Sequence, residues 1–377
     1  MPPINLLIKP ASGNCNMKCE YCFYCEEMNN RTNPSLGMMS VETLEQVLKK
    51  ALEQAKDSCT IAFQGGEPTL RGLEFFEKSI ALEQTYNIHQ VTIQNALQTN
   101  GYKLDEKWAA FFAQHHFLVG ISIDGKRNSH DFYRKTATGE DTFDEINKTI
   151  ALLRQYSVDF NILTVVNDKT VKQARKIYEF YRKNGWDYLQ FIPCLPPLGN
   201  GKKYSPNVSE YGNFLKDLFD CWYVDLRQGK QPYIRQFENY VAILLGNIPD
   251  CCDQSGSCQI QYVIEADGSA YPCDFYAMDE YCLGNLKDME WEEIDRNRKN
   301  MKFIENSVSQ RENCIGCQYY PVCRGGCTRN FQKNEDSSYQ NYFCQSYKIF
   351  FDHHYEKLVE IADHIRIQQI IQGYSAT

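Results

Sequence analysis

Short apolar segments alternate with longer amphipathic segments through the first half of the chain. The apolar runs are INLLI, TIAF, VTIQNAL, FLVGISI, FNILTVV and YLQFI. Between them lie stretches with helical periodicity, such as VETLEQVLKKALEQA and TFDEINKTIALLRQY. A strand followed by a helix, repeated about six times, is typical of parallel βα units. Because such crossovers are right-handed, we expect a partial barrel with its chemistry at the carboxyl ends of the strands.

The alternation ends near residue 195, where PCLPPLGNGKKYSPN has the composition of a loop. A helical stretch, EYGNFLKDLFDCWYVDLRQG, follows this loop. We therefore predict an α/β fold with two domains. The first is a partial (β/α)6 TIM-like barrel over residues 1–235, and the second is a cysteine-rich domain of short hairpins and helices, with a C-terminal helix, over residues 236–377.

Composition limits the classes of function. The chain has 377 residues, of which 43% are hydrophobic, and this is ample for a packed core. The apolar run within the N-terminal MPPINLLIKP is too short for the core of a signal peptide. No apolar run elsewhere in the sequence approaches the length of a membrane span. We therefore expect a cytoplasmic protein that binds no membrane. A net charge of -8 with interspersed signs argues against a nucleic-acid partner.

The strongest compositional signal is the presence of 17 cysteines. A disulfide framework does not suit a chain without an export signal, because the cytosol keeps thiols reduced. Metal or iron-sulfur ligation is the better interpretation. Three cysteines stand close together near the N-terminus and most of the others crowd the last third of the chain: Cys15, Cys19 and Cys22, then Cys251, Cys252, Cys258, Cys273, Cys282, Cys314, Cys317, Cys323, Cys327 and Cys344.

The first three cysteines form the segment CNMKCEYC, directly after the first predicted strand. This is the loop where a barrel enzyme keeps its reactive groups. Three thiolates that hold a 4Fe-4S cluster leave one iron without a protein ligand, and such an iron can bind a substrate or cofactor. The alternative is a zinc knuckle completed by Cys25 or a histidine, because thiolates suit both metals.

The segment CNMKCEYC resembles the CxxxCxΦC signature of radical S-adenosylmethionine enzymes, with Tyr21 in the aromatic position. The second predicted strand ends in QGGEP, which resembles the segment that binds the methionine part of the cofactor in that superfamily. Glycines allow close approach of the backbone, and either Glu67 or a turned carbonyl can accept a hydrogen bond from the ammonium group of the cofactor. A plain turn is the alternative reading of QGGEP.

The cysteines of the last third resemble the SPASM domain, which carries two auxiliary 4Fe-4S clusters. In that domain the ligands interleave along the chain. The resemblance implies that the first auxiliary cluster is held by Cys252, Cys258, Cys273 and Cys327, and the second by Cys314, Cys317, Cys323 and Cys344. The segment VIEADGSAYPC is predicted to be a hairpin with an Asp-Gly turn, which presents Cys273 at a strand end. A pair of zinc ribbons is the alternative.

Nearly the whole chain resembles the anaerobic sulfatase-maturating enzymes within this superfamily. The segments that carry the resemblance are MPPINLLIKPASGNCNMKCEYCFY, FQGGEPTLRGLEFFEK, LQTNG, FLVGISIDG, FNILTVV, LGNLKDM and ADGSAYPCDFY. The resemblance implies an oxidoreductase with three 4Fe-4S clusters and S-adenosyl-L-methionine, which oxidises a cysteine or serine of an unfolded sulfatase polypeptide to Cα-formylglycine. It also implies an electron donor such as flavodoxin or ferredoxin. The sequence departs from the family in YRKTATGEDTF, in PPLGNGKKYSPN and after Ile367.

The same resemblance implies roles for individual residues. Asp274, next to the cluster ligand Cys273, is the base that accepts a proton from the substrate. The contacts to S-adenosylmethionine are Tyr21, Gly66, Ser122, Arg134 and Leu195. Tyr24 follows the cysteine triplet closely enough to reach the substrate, although an aromatic residue there is also suited to packing.

Two other classes of function compete. One is another SPASM maturase, which forms a thioether, a carbon-carbon crosslink or an epimerised residue in a ribosomal peptide. Such enzymes often carry a leader-peptide-binding domain ahead of the barrel, and we expect none here because the triplet begins at Cys15. The other is a non-enzymatic zinc or iron-sulfur interaction protein, which the barrel pattern and the glycine segment disfavour.

Overall fold

The computed structural model describes residues 3–197, 203–371 and 373. The chain forms two compact units. The first unit contains the residues up to Ile123, Arg127–Ile162 and Ile260–Phe303. The second contains Asp124–Lys126, Leu163–Gln259 and the residues from Ile304 onward.

The secondary structure alternates strands and helices through the first half of the chain. The strands are β1 (Ile4–Ile8), β2 (Ser58–Phe63), β3 (Thr92–Thr99), β4 (Leu118–Ser122), β5 (Phe160–Val166), β6 (Tyr188–Pro193), β7 (Tyr233–Ile234), β8 (Tyr262–Ile264), β9 (Ser269–Tyr271), β10 (Gly284–Asn285), β11 (Phe331–Lys333) and β12 (Tyr339–Asn341). The α-helices are α1 (Phe23–Asn29), α2 (Val41–Gln54), α3 (Leu73–Tyr86), α4 (Glu106–Gln114), α5 (Arg127–Tyr133), α6 (Phe143–Gln155), α7 (Ala174–Lys183), α8 (Val208–Arg227), α9 (Arg235–Leu244), α10 (Trp291–Met301), α11 (Phe303–Ser309), α12 (Tyr320–Cys323) and α13 (Cys344–Ile371).

Each of the six predicted strands is present, as β1 to β6. In the first unit the strand order is β10-β9-β8-β1-β2-β3-β4. Strands β1 to β4 pair in parallel, and the β1–β2 register runs from Ile4 opposite Cys59 to Ile8 opposite Phe63. Strand β8 adds to the other edge of β1, also in parallel. The α/β class therefore follows the alternation in the sequence.

The predicted hairpin around Cys273 is also present. Strands β8 and β9 pair antiparallel, with Val263 opposite Tyr271. The turn between them contains Gly268, whose φ of +91° is in the region that favours glycine. The hairpin ends just before Cys273 and Asp274, which therefore belong to the first unit.

Amphipathic helices cover the strands of the first unit. Ser40 is the N-cap of helix α2, and its side chain accepts a hydrogen bond from the Thr43 N–H. Its buried face contains Leu44, Val47 and Leu48, spaced as one side of a helix requires.

The second unit is built around aromatic helix contacts and the long α13. Strands β6 and β7 pair in parallel. The buried rings of Phe219, Trp222, Phe237 and Phe350 join α8, α9 and α13.

In the predicted loop after residue 193, residues 194–197 and 203–207 contain no helix or strand, and residues 198–202 lie outside the described part of the chain. None of the helices in the described ranges combines the length and apolar composition that a membrane span requires.

Candidate functional site

The loop after β1 carries the cysteine triplet. Backbone hydrogen bonds from Ser12 to Lys9 and from Asn14 to Ala11 turn the chain directly after the strand. The thiol of Cys15 lies 3.5 Å from the amide nitrogen of Asn100 and 3.3 Å from the Met17 N–H. Burial and the nearby Glu67 raise the pKa of the Cys15 thiol to about 12. Such a thiol is protonated at neutral pH, and metal binding would displace its proton.

A second chain segment packs against the triplet loop. The Lys18 N–H donates to the Lys135 carbonyl at 2.8 Å, and Met17 forms a β-bridge with Thr136. This pairing brings the Arg134 guanidinium to 4.0 Å from the Cys19 sulfur and places it over the Tyr21 ring. Two of the predicted cofactor contacts, Tyr21 and Arg134, therefore lie together beside the triplet.

The QGGEP segment lies directly against the same loop. The Gly66 N–H donates to the Ser12 carbonyl and the Glu67 N–H donates to the Asn14 carbonyl, both at 2.8 Å. A Cβ at position 66 would lie 2.0 Å from the carbonyl oxygen of Asn14. Gly66 is thus required by the close approach of two backbones, and this contact fixes the loop that carries Cys15.

The carboxylate of Glu67 is engaged by the chain itself. It is fully buried and accepts hydrogen bonds from the Thr99 hydroxyl at 2.8 Å and the Asn100 N–H at 2.8 Å. The Thr69 hydroxyl and N–H donate to the same side chain. Glu67 or a backbone carbonyl was expected to accept from the ammonium group of the cofactor. Because the Glu67 carboxylate is already hydrogen-bonded within the chain, this geometry favours the backbone carbonyl for that role, and Glu67 orders the loop.

The half-buried Ser122 ends β4 and has a polar partner on β3. The Gln98 amide nitrogen donates to the Ser122 hydroxyl at 3.1 Å. A Cβ at Gly120 would lie 2.0 Å from the Gln98 Oε1, so the glycine makes room for this side chain. Sequence reasoning missed Gln98, although a polar residue at the end of an apolar strand is a visible signal. Leu195, the remaining predicted contact, is half-buried in the second unit, directly after buried Cys194.

Asp274 is buried and held by side chains from three other segments. Its Oδ2 accepts hydrogen bonds from the Tyr24 hydroxyl at 2.7 Å and from the Gln64 amide at 2.9 Å. Its Oδ1 lies 3.7 Å from the Lys9 ammonium and has no hydrogen-bond partner within the described chain. Burial raises the pKa of Asp274, while the Lys9 charge and the Tyr24 hydrogen bond oppose the rise. Tyr24 lies in the first turn of α1, which directly follows Cys22, so this tyrosine joins the triplet loop to Asp274.

Beneath Asp274 lies what we term the buried ion cluster, which consists of Lys9, Glu27, Arg31, Glu265 and Asp274. The Lys9 ammonium lies 3.0 Å from carboxylate oxygens of both Glu27 and Glu265. Burial raises the pKa of Glu27 to about 8, against the opposing charge of Lys9. Burial acts in the same sense on Glu265, but Lys9 and Arg31 outweigh it and lower the pKa of that carboxyl. Sequence reasoning did not single out Lys9, Glu27, Arg31 or Glu265.

Four cysteines of the second unit form one group. Cys314, Cys317, Cys323 and Cys344 line a cavity of about 170 Å³. Burial and the neighbouring thiols raise the pKa of Cys323 to about 12. A set of four cysteines around one cavity has the donor chemistry of a 4Fe-4S cluster, and these are the four residues expected for the second auxiliary cluster.

Three of the four cysteines expected for the first auxiliary cluster also lie near one another. Cys327 is half-buried, and its pKa is raised by desolvation and by the charges of Cys252 and Cys258. The adjacent Cys251 is engaged elsewhere, since its sulfur lies 3.0 Å from the side-chain nitrogen of Asn239 and 3.1 Å from the side-chain oxygen Oε1 of Gln254. This favours Cys252 over Cys251 as the ligand, a choice that spacing alone left open. The fourth cysteine, Cys273, belongs to the first unit.

Comparison with known proteins identifies the class. Residues 10–181 match the Radical SAM superfamily model, and residues 252–318 match the SPASM model, an iron-sulfur cluster-binding domain. These matches, the parallel strands and the grouped cysteines define a radical S-adenosylmethionine enzyme with auxiliary iron-sulfur clusters.

Curated relatives narrow the class to one family. The chain is 44% identical to the cysteine-type anaerobic sulfatase-maturating enzyme of Clostridium perfringens, over 97% of this chain and 100% of that protein. It is 32% identical to the serine-type enzyme of Bacteroides thetaiotaomicron, over 93% of this chain and 89% of that protein. The chain belongs to the family of anaerobic sulfatase-maturating enzymes.

Solved structures agree with this placement. The structure of native anSMEcpe with bound AdoMet and Cp18Cys peptide matches with a TM-score of 0.90 at 44% identity, over 97% of this chain and 100% of that chain. SuiB of Streptococcus suis, bound to S-adenosylmethionine, shares the fold alone, with a TM-score of 0.63 at 17% identity, over 91% of this chain and 77% of that chain.

Family membership decides several of the open alternatives. The partial barrel with a SPASM domain is confirmed, as are the radical enzyme class and the use of S-adenosylmethionine and three 4Fe-4S clusters. The zinc knuckle, the zinc ribbons and the non-enzymatic interaction protein do not fit this family. The thiol groups described above have the donor chemistry that the clusters require.

Replacing Gly66 by alanine tests the contact between the QGGEP segment and the triplet loop. The new Cβ would displace the Asn14 backbone, and overpacking of this kind costs about 1–3 kcal/mol. We expect Gly66→Ala to lower both the iron content and the yield of 5'-deoxyadenosine in an anaerobic preparation. Gly316→Ala is the control, because a Cβ there meets nothing within 4 Å although it lies between two cysteines. Equal iron content and cleavage in both variants would contradict the contact.

Proposed function

We propose that this enzyme is of the cysteine type and oxidises a cysteine side chain of an unfolded sulfatase polypeptide to Cα-formylglycine. Whole-chain identity supports the preference, since it is 44% to a cysteine-type enzyme and 32% to a serine-type enzyme. The observation that carries the proposal is buried Asp274. Tyr24 and Gln64 donate hydrogen bonds to its Oδ2, while its Oδ1 has no hydrogen-bond partner within the described chain.

The reaction removes two hydrogens from the CH2–SH group of the target. When bound, the cofactor and clusters supply a radical that takes one hydrogen atom from Cβ, and an acceptor for the electron that leaves next. The thiol hydrogen then leaves as a proton together with that electron, which gives a thioaldehyde that keeps the second Cβ hydrogen. Water then replaces the sulfur, so that the aldehyde forms and hydrogen sulfide is released.

Asp274 is proposed to accept the proton. A general base works best when its pKa lies near the operating pH, and burial raises the pKa of this carboxyl toward that range. Hydrogen bonds from Tyr24 and Gln64 fix the orientation of the carboxylate. The fixed orientation of the carboxylate and its raised pKa both support this role.

The cluster ligands and cofactor contacts are proposed as the sequence predicts them. The radical-generating cluster is assigned to Cys15, Cys19 and Cys22. The first auxiliary cluster is assigned to Cys252, Cys258, Cys273 and Cys327, and the second to Cys314, Cys317, Cys323 and Cys344. The proposed contacts to S-adenosylmethionine are Tyr21, Gly66, Ser122, Arg134 and Leu195. The matched spans 10–181 and 252–318 support a barrel over residues 1–235 and a SPASM domain over residues 236–377. A flavodoxin or ferredoxin as electron donor and a cytoplasmic location complete the proposal.

Mass spectrometry of a matched pair of peptides tests the function. A sulfatase-derived peptide and its Cys→Ser counterpart are incubated anaerobically with the enzyme, S-adenosylmethionine and a reductant. We expect the cysteine peptide to be converted faster, with loss of sulfur, gain of oxygen and loss of two hydrogens. Faster conversion of the serine peptide would overturn the cysteine preference. A crosslinked or epimerised product would instead support another SPASM maturase.

Replacing Cys15, Cys19 and Cys22 together by alanine should abolish 5'-deoxyadenosine formation. We expect iron to fall from about twelve to about eight atoms per chain, because each of the three sites is a 4Fe-4S cluster. The matched control replaces Cys59, Cys221 and Cys282, three cysteines that are assigned to no cluster, and should keep all three clusters. Cofactor cleavage at the parental rate in the first variant would refute the assignment.

Asp274→Asn keeps the shape of the side chain and removes its basicity. We expect 5'-deoxyadenosine formation to persist while formylglycine formation falls by about 10² to 10⁴, the usual contribution of general-base catalysis. Both products are measured in one anaerobic assay. Asp279→Asn is the control, since Asp279 is a nearby aspartate that bonds to Thr32 at the surface. Parental formylglycine formation in Asp274→Asn would place the base elsewhere.

A further inference from the structure

The buried ion cluster contains more acidic than basic side chains. Three carboxyl groups face two cations, Lys9 and Arg31, and the Lys9 ammonium is shared among all three carboxyls. Lys9 lies 3.0 Å from Glu27 and Glu265 but 3.7 Å from Asp274. The two glutamates therefore compete with Asp274 for the one ammonium.

Arg31 changes that competition. Its Nη2 lies 2.7 Å from Oε1 of Glu265, which is the same oxygen that faces Lys9. Because the guanidinium already satisfies this oxygen, Glu265 draws less strongly on the ammonium. Lys9 is then free to stay near Asp274.

Arg31 also contacts the chain segment that carries Asp274. Its Nε donates to the carbonyl oxygen of Ala277, three residues after the aspartate. A guanidinium is a rigid fork, so the two hydrogen bonds fix the distance between Glu265 and the Ala277 backbone. Lysine has the charge but cannot make both contacts in this geometry.

We propose that Arg31 is a positioning residue for Asp274, acting through the Ala277 carbonyl and through the Glu265 carboxylate. This inference rests on the proposed role of Asp274 as the base. Without Arg31 the 274–277 segment loses a backbone anchor, and Lys9 is drawn toward Glu265. Proton transfer then suffers, while cofactor cleavage at the triplet continues.

The experiment compares Arg31→Met and Arg31→Lys with Arg298→Met and Arg298→Lys in the reconstituted holoenzyme. Arg298 is a matched control because it is also 7% exposed, belongs to the same unit and pairs with Asp295 on its own helix at 2.6 Å. A general loss of stability from removing a buried arginine should therefore appear in both pairs of variants.

The first readout is the ratio of 5'-deoxyadenosine to formylglycine with the cysteine peptide. We expect kcat for formylglycine to fall about 10- to 100-fold in Arg31→Met with little change in the peptide KM, since small displacements of a reacting group have effects of this size. Arg31→Lys should recover part of the loss, because it restores the charge beside Glu265. The Arg298 variants should keep the parental ratio.

The second readout is hydrogen exchange of the amides in residues 275–281 of the holoenzyme, measured without peptide. Exchange should be faster in both Arg31 variants than in the Arg298 variants, since an anchored segment opens less often. If Arg31→Met does not accumulate, the comparison between Arg31→Lys and Arg298→Lys decides. The inference would be overturned if Arg31→Lys kept both the parental ratio of 5'-deoxyadenosine to formylglycine and the parental rate of hydrogen exchange. It would also be overturned if the matching Arg298 variant raised that ratio as much as the Arg31 variant.

The two proposals fail in different ways. If the parental enzyme makes no formylglycine from the cysteine peptide, the proposed function fails. If the parental enzyme makes formylglycine and the Arg31 and Arg298 variants behave alike, only the role of Arg31 fails.

Discussion

The ammonium group of Lys9 is the buried charge on which the geometry of the proposed active site depends. Lys9 directly follows the apolar strand β1, and its side chain is 1% exposed. Its ammonium group lies within 3.7 Å of three carboxyl groups. An unpaired ion in such a place would be very costly, so Glu27, Glu265 and Asp274 must all remain close to it. The segments that carry these acids are thereby held around the end of β1.

The main effect of this ion network is to select one conformation of the chain, and its net contribution to the free energy of unfolding is small. Replacing a buried ion network with apolar side chains is often neutral or stabilising, whereas removing one partner costs about 3–5 kcal/mol. The network therefore stabilises one arrangement of the chain and penalises the others. The close approach of Gly66 to Asn14 also restricts the triplet loop, through backbone contact instead of charge.

The features that depend on local sequence patterns were predicted well. Strands β1 to β6 were visible as apolar runs, and the hairpin before Cys273 as an Asp-Gly turn between short apolar segments. The ion cluster was not predictable, because Lys9 looks like the polar end of a strand, while Glu27 and Arg31 look like solvent-facing residues of a helix. Their burial depends on long-range contact with Glu265, more than two hundred residues away along the chain. No local pattern encodes that contact.

The choice between Cys251 and Cys252 shows the same limit at shorter range. Spacing cannot separate two adjacent thiols, but the hydrogen bonds of Asn239 and Gln254 engage the first and leave the second near Cys258 and Cys327.

Cys273 and Asp274 carry two proposed roles on neighbouring residues, one as ligand of an electron-accepting cluster and the other as proton acceptor. Adjacent Cα atoms are about 3.8 Å apart, so the two side chains start from neighbouring points of one backbone segment. The oxidation requires an electron and a proton to leave the same substrate carbon–sulfur unit. A single segment anchored by Tyr24, Gln64 and Arg31 can therefore position both acceptors at once, and a shift of that segment would disturb both.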